Sequence, residues 1–439
     1  MSDSVNEPEF RLDVAGLSDA FEVLAFTGRE AISEPFVFEA DLLIDDPELD
    51  LASLLYRPAS LHFGPAGNCV HGQLQALVQR DHGSAVRLCH VRLAPKLACL
   101  AQRYSQRIFS ACSVPQILDQ VLREHGFAGA QRRFELSGDF PRRDFCTQYR
   151  ESDLQFLQRL CAEERIHYHF EHKAGSHCVV FADGQGHFPR GEMAAFRCEG
   201  EQPAVRRFEV QFIDGGRQRA ECRTDLATLR SGQLMPLADH PVTDWNHLWL
   251  LTHVEHEGTQ DPLASYSNQA RAMHRAAKFE VCQRVQKPGM HGLQRARVVD
   301  VDEPRPDASR PVAVQFEWSY QGEGAKPGHC WLPLAPELQT ANGARLREGT
   351  EVVVSYIEGD PDQPLITGVL HLPATAATDD GADLSCADQC SPEGVLDWLN
   401  SGEPMLLLCL MPGGGSFKHC AQALCTCRTA VRLGQSGAA

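Results

Sequence analysis

The stretch Arg310–His371 constrains this chain most, because its patterning leaves room for little except a run of short strands closing on one another. Val312, Val314, Phe316 and Trp318 alternate with Ala313, Gln315 and Glu317, the period of two that buries one face of a strand. Cys330–Ala335, Thr350–Ile357 and Leu365–His371 read as three more strands, with Val352, Val354 and Tyr356 in phase. Between the last two lies Glu358-Gly359-Asp360-Pro361-Asp362-Gln363-Pro364. There glycine supplies positive φ, proline restricts φ, and aspartate can bond its own backbone, so the segment is a turn with a mechanism. These strands spell a small antiparallel barrel of the oligomer-binding (OB) type.

The rest of the chain is too long for one core: 439 residues suggest roughly three domains. A 43% hydrophobic and 23% charged composition is globular. The balance of 58 acidic against 41 basic residues gives −17, which argues against broad binding to nucleic-acid phosphates. Met1–Phe10 is polar and acidic and shows no secretory signal, and the longest apolar run, Met405–Met411, is far too short to span a bilayer. Seventeen cysteines, odd in number and scattered singly, fit reduced and mostly buried thiols in a soluble protein made in the cytosol.

Along residues 9–95 the candidate strands are Phe10–Val14, Phe21–Thr27, Phe36–Leu43, Ala59–Phe63, Val70–Gln79 and Ala85–Leu93, with a helical turn at Leu51–Tyr56. Two short helices follow. Ser113 and Gln116 form a capping box ahead of the stripe Ile117, Leu118, Val121 and Leu122, which Gly126 ends. Ser152 and Gln155 repeat the box ahead of Leu154, Leu157, Leu160 and Cys161. Arg165–His172 and His177–Ala182 read as a hairpin, His247–Glu255 as a strand and Ser265–Lys278 as a polar helical stretch. Gln286-Lys287-Pro288-Gly289 and Pro373–Asp380 read as linkers.

Two segments carry a family resemblance. Arg310-x-Val312-x-Val314-Gln315-Phe316-x-Trp318, Cys330-Trp331, Gly349-x-Glu351-Val352-x-Val354 and Glu358-Gly359-Asp360-Pro361-Asp362-x-Pro364-x-x-x-Gly368 resemble the central barrel of VgrG proteins. These form the spike of the bacterial type VI secretion system and are similar to the hub and spike of contractile phage tails. Gln148-Tyr149-Arg150-Glu151-Ser152-Asp153-Leu154-x-Phe156-Leu157-x-Arg159-Leu160 resembles the hub pattern of the same family. The family usually has glycine near Arg165 and aromatics where His167 and His169 stand, a slot that a planar imidazole also fits.

The resemblance covers roughly residues 8–372 and implies a mainly β fold with some α. Residues 1–285 would be a phage-tail-hub-like region of two β-barrel domains with helical insertions, and 286–372 an OB-fold barrel at the spike base. The barrel's structural motif would be Trp318, Trp331, Gly349, Gly359, Asp360, Pro361, Pro364 and Gly368. Residues 373–439 would be a linker and a short, irregular, Cys-rich tail, since the Val-rich repeats of the family's usual β-helix are not found there. Val395, Leu396, Trp398 and Leu399 form that tail's candidate docking face.

No His-Glu-x-x-His, Gly-x-Ser-x-Gly or Gly-x-x-x-x-Gly-Lys motif occurs, and His253-x-Glu255-His256-Glu257 lacks the helical spacing that puts two histidines on one face. The reading is therefore not an enzyme, with no cofactor and no metal. His167 and His169 share a strand face, but two packed rings outweigh a metal pair. Cys386, Cys390, Cys409, His419, Cys420, Cys425 and Cys427 raise a zinc reading for the tail, outweighed by incidental thiols. Phe316, Trp318, Tyr320 and Trp331 invite base stacking, yet the first two fall in phase with the strand core and the flanks are acidic.

The resemblance implies a mechanical role: a homotrimeric hub seated on a tube of Hcp-type hexamers, helping to pierce target envelopes and deliver effectors. It implies assembly in the cytoplasm and export by the apparatus without a signal peptide, with no nucleic-acid partner and no integral membrane segment. The alternatives are an adaptor whose tail docks an effector, chaperone or tip protein, a prophage tail hub, and a spike fused to an enzyme.

Overall fold

The computed structural model describes residues 10–371, apart from 66, 81–86, 174, 214–216, 261–264, 276, 278–285, 303–308, 320–327 and 341–345, and further on 407–411 and 414–418. It resolves into two compact units. One comprises residues 1–105, 111–143 and 150–287; the other comprises 106–110, 144–149 and 288–439.

The first unit is built on a 12-stranded, largely antiparallel sheet. Its first strands are β1 (Arg11–Val14), β2 (Phe21–Ala31), β3 (Glu34–Ile44), β4 (Pro58–His62), β5 (Cys69–Arg80) and β6 (Arg87–Ala94). They pair in the order β1-β4-β5-β6-β3-β2, and β2 returns to β1, so the six close into a ring without a free edge. The alternation in the sequence produces this directly. Leu12 and Val14, Phe36, Phe38, Ala40 and Leu42, and Leu61 and Val70 all turn inward and are buried.

In chain order, β7 (Tyr104–Phe109), α1 (Val114–Glu124), β8 (Arg132–Glu135), β9 (Cys146–Ser152), α2 (Asp153–Glu163), β10 (His167–Lys173) and β11 (Ser176–Ala182) come next, and residues 106–109 of β7 and 146–149 of β9 belong to the second unit. Strands β10, β11 and β8 form a three-stranded sheet, and α1 packs on α2. Ser113 N–H donates to Gln116 Oε1 at 2.9 Å, Ser152 N–H to Gln155 Oε1 at 2.9 Å, and Gln155 N–H to Ser152 Oγ at 3.2 Å, so both helices start where their capping boxes place them. Ile117, Leu118, Val121 and Leu122 are buried in α1. In α2 the buried residues are Asp153, Phe156, Leu157, Arg159, Leu160 and Cys161; Leu154, expected on the stripe, is only half-buried.

The 12-stranded sheet then continues through β12 (Ala194–Ala195), β13 (Val205–Ile213), β14 (Arg217–Thr224), β15 (Leu234–Ala238), β16 (Leu248–Thr259) and β17 (Tyr266–His274). β16 pairs with β2 of the first ring and leads on to β17, β14 and β13. On its other side β15 and β12 follow, and a bridge from Phe196 to Val205 returns to β13, closing a second ring. At the shared seam, Gly28 and Gly258 lie under the rings of Phe38 and Phe26, leaving no room for a β-carbon at either glycine.

Tyr266–His274 is a strand and not the polar helix expected over Ser265–Lys278. Its small residues misled: Ala270 and Ala272 are helix formers, but here they alternate with exposed Gln269 and Arg271 and pack into the second ring.

In the second unit, β18 (Gln294–Val298), β19 (Val312–Phe316), β20 (Cys330–Leu332), α3 (Pro336–Thr340), β21 (Glu351–Tyr356) and β22 (Pro364–His371) follow one another. The five strands pair in the order β20-β19-β18-β21-β22. A parallel bridge between Leu334 and Ile366 returns β22 to the chain leaving β20, with α3 between third and fourth strands. That is the strand order of an OB barrel. Val314, Phe316, Leu332, Val352, Val354 and Ile366 fill it, joined by Phe145 and Tyr149.

β19 stops at Phe316. Trp318, expected to extend the strand, lies in the 3₁₀ turn Glu317–Ser319 and is partly buried against the barrel core, its ring stacked on Phe316 at 5.0 Å. Beyond the barrel, β23 (Leu407–Met411) and β24 (Gly414–Lys418) form an antiparallel hairpin.

Candidate functional site

The acidic turn between β21 and β22 is the best-defined local device of the second unit. Gly359 has φ +76° and Glu358, before it, φ +53°. Asp360 accepts the N–H of Asp362 on Oδ1 at 2.9 Å, and its own carbonyl accepts from Gln363 N–H at 3.0 Å, so the aspartate bonds forward along its backbone as the motif requires. The turn also holds other parts of its unit. Thr147 N–H donates to Asp362 Oδ1 at 2.5 Å and Thr147 Oγ1 to the Pro361 carbonyl at 2.8 Å. Met290 N–H donates to the Gly359 carbonyl at 2.7 Å. Arg310 pairs with Asp144. Thr147, held by the turn in this way, stands immediately before Gln148, where the second family pattern begins.

The remaining motif residues surround this turn or the strands it joins. Gly349, at φ +81°, donates its N–H to Val298 O at 2.9 Å and opens β21. Pro361 and Pro364 are buried, and Pro364 starts β22. Gly368 lies opposite Val353 beside a register shift. Trp331 is half-buried on β20, on the face opposite buried Cys330 and Leu332. Tyr320 lies outside the described residues, as do Val395, Leu396, Trp398 and Leu399, and Cys386, Cys390, His419, Cys420, Cys425 and Cys427.

Sequence reading missed a polar chain buried at the seam of the first unit. Glu30 lies 3.4 Å from His256 Nε2 and 3.6 Å from Arg230, and accepts from Ser231 N–H at 3.1 Å. Burial alone would raise its pKa, but the adjacent His256 imidazole and the Arg230 charge outweigh it and hold the carboxyl at about 2. The His256 imidazole is itself lowered by burial, against the pull of Glu30. Its Nδ1 lies 2.7 Å from the Tyr266 hydroxyl, which accepts from Asn268 Nδ2 at 3.0 Å, and Thr224 Oγ1 donates to Asn268 Oδ1 at 2.8 Å. The only sequence signal was an acidic residue in phase with a buried strand face.

His167 and His169 are buried side by side against Phe188, at ring separations of 4.6 and 5.4 Å, which is how aromatic side chains would pack there. Among the described residues, no group of three or more His, Cys, Asp or Glu side chains is arranged to hold a metal ion. A concavity of the first unit, about 740 Å³, mixes Arg29, Arg92 and Arg223 with Glu39, Glu255 and Glu257.

A β-rich hub with short helices and an OB barrel defines a class, the hub proteins of contractile tails. The phage tail baseplate hub family (GPD) matches residues 29–213. The Escherichia coli c3393 protein, described as a component of the type VI secretion system with structural similarity to the T4 bacteriophage tail proteins gp27 and gp5, has a TM-score of 0.69 at 25% identity. The match covers 82% of this chain and 99% of that one.

Two Pseudomonas aeruginosa type VI secretion system spike proteins, VgrG4b and VgrG5, are each 34% identical to the chain, over 461 and 455 residues that take in 84% and 83% of it. Within the class, the chain belongs to the VgrG family. It spans 57% and 58% of the length of those two relatives.

Proposed function

We propose that the chain is the hub-and-barrel section of a type VI secretion spike, acting as a homotrimer on a tube of Hcp-type rings and carrying no catalytic step of its own. The observation that carries this reading is the 34% identity to spike proteins across 84% of the chain. The fold suits the role: two closed strand rings and a closed barrel leave few free edges, so the body is stiff and resists edge-to-edge pairing. The work of penetration then comes from the contracting sheath. Export follows assembly into the apparatus. Among the described residues no helix is long and apolar enough to cross a membrane.

The segment after the barrel is the proposed docking element for an effector, chaperone or tip protein, through Val395, Leu396, Trp398 and Leu399. Deleting the gene in its host tests the main reading. Release of the Hcp-type tube protein should fall and return with the wild-type chain, and release unchanged in the absence of this and every related spike chain would refute it. Truncation after Pro373 should leave release of the tube intact while reducing delivery of cargo.

A further inference from the structure

The outward face of the first ring carries a cluster for which the mechanical role has no use. Cys69 and His71 project from β5 on the side away from buried Val70, opposite His62 and Ser60 of β4 in the strand register. Cys69 Sγ lies 3.2 Å from His71 Nε2, and His71 Nδ1 lies 2.7 Å from Ser60 Oγ. Serine and thiol can each donate or accept; in the tautomer with the proton on Nδ1, Nδ1–H donates to the serine oxygen and Nε2 is left to accept the thiol proton. The His71 backbone N–H donates to His172 Nδ1 at 3.1 Å, so the main chain that carries the base is itself tied down. Beside Cys69, Asn68 accepts from Arg230 at 2.9 Å.

We propose that Cys69 is a nucleophilic thiol, with His71 as its general base and Ser60 orienting the imidazole, and that its substrates are small disulfides. Nucleophile, base and orienting group within hydrogen-bond reach are the signature of an activated side chain. In the exchange, Cys69 Sγ passes its proton to His71 Nε2 and attacks one sulfur of R–S–S–R. The Cys69–S bond to that sulfur forms as the old S–S bond breaks, and the leaving thiolate takes the proton back from His71. The products are Cys69–S–S–R and one R–SH, with no other oxidant consumed. Burial keeps the resting thiol above its ordinary range and the imidazole below its own, so the resting pair is neutral and the base acts as the bond forms. The Arg230 charge favours the developing thiolate, and Asp13 opposes it.

Cys198, an exposed thiol, is the internal standard. The reduced full-length protein is treated with dithiobis(nitrobenzoate), and each modified cysteine is located by peptide mass mapping. Cys69 should react about tenfold faster than Cys198 at neutral pH despite its lower exposure, and His71→Gln should remove that advantage while leaving the Cys198 rate alone. Ser60→Ala should slow Cys69 and move its pH–rate profile. Reaction of Cys69 no faster than Cys198, or a Cys69 rate unaffected by His71→Gln, would overturn the proposal. Should His71→Gln expose the buried thiols at large, Ser60→Ala decides, because it leaves the imidazole in place: an unchanged Cys69 rate and profile there would also overturn it.

Discussion

Gly359 joins two constraints in one residue. Its φ of +76° lies in the left-handed region, and a β-carbon there would run into the His291 ring. Gly359→Val is therefore expected to cost roughly 2–4 kcal/mol, combining backbone strain with displacement of that ring. Gln363→Ala, exposed on the same turn, should stay within about 0.5 kcal/mol. Denaturant titration of the two variants reads the difference, and equal stabilities would show that the turn tolerates a side chain at this position. The glycine was legible because it stands before Asp-Pro-Asp, where turn chemistry has a local cause. Glu358, equally left-handed at +53°, was not, since nothing in glutamate announces that conformation. Arg165 adopts φ +57° close to where the family usually has glycine, so the departure noted in the sequence has a backbone counterpart.

At the level of elements, α2 shows what periodicity reads and what it omits. Both capping boxes and the apolar stripe of α1 follow from local spacing. Arg159 does not: it is 1% exposed, with its guanidinium on Glu151 at 2.7 and 3.1 Å and on Glu163 at 2.9 Å. A charged residue enters a core only when partners from another element meet it, and Glu151 belongs to the preceding strand. Arg159→Ala should therefore cost about 3–5 kcal/mol, because it takes the paired guanidinium away from the buried Glu151 carboxylate. Pairing Arg159→Met with Glu151→Gln should recover part of that loss. If melting shows Arg159→Ala to be near neutral, the pair contributes nothing.

The strand Tyr266–His274 and the turn at Trp318 were misread for related reasons. Alanines that fill a strand look like helix, and an aromatic in phase with a strand looks like its continuation. Only pairing with distant segments settles either case.

The whole molecule depends on keeping several imidazoles neutral. Burial lowers His167 to about 4 and His172 to about 3 from an ordinary 6.5. The unfolded chain takes up these protons first, so stability is full above about pH 6.5 and falls as pH drops toward 4. Glu30, held at about 2 against an ordinary 4.5, adds a further loss below about pH 4.5, again because the unfolded state binds the proton first. Thermal melting from pH 8 to pH 4 should show a plateau and then a steady decline with acid, and His167→Phe should flatten the upper part of that decline. A melting temperature that rises on acidification would contradict this account.

The trimeric spike hub we propose has one decisive observable, the mass of the assembled particle. Light scattering on reduced, chelated protein at micromolar concentration should give about three times the 48.5 kDa chain mass, without metal or disulfide to hold it. A stable, folded monomer under those conditions would contradict it.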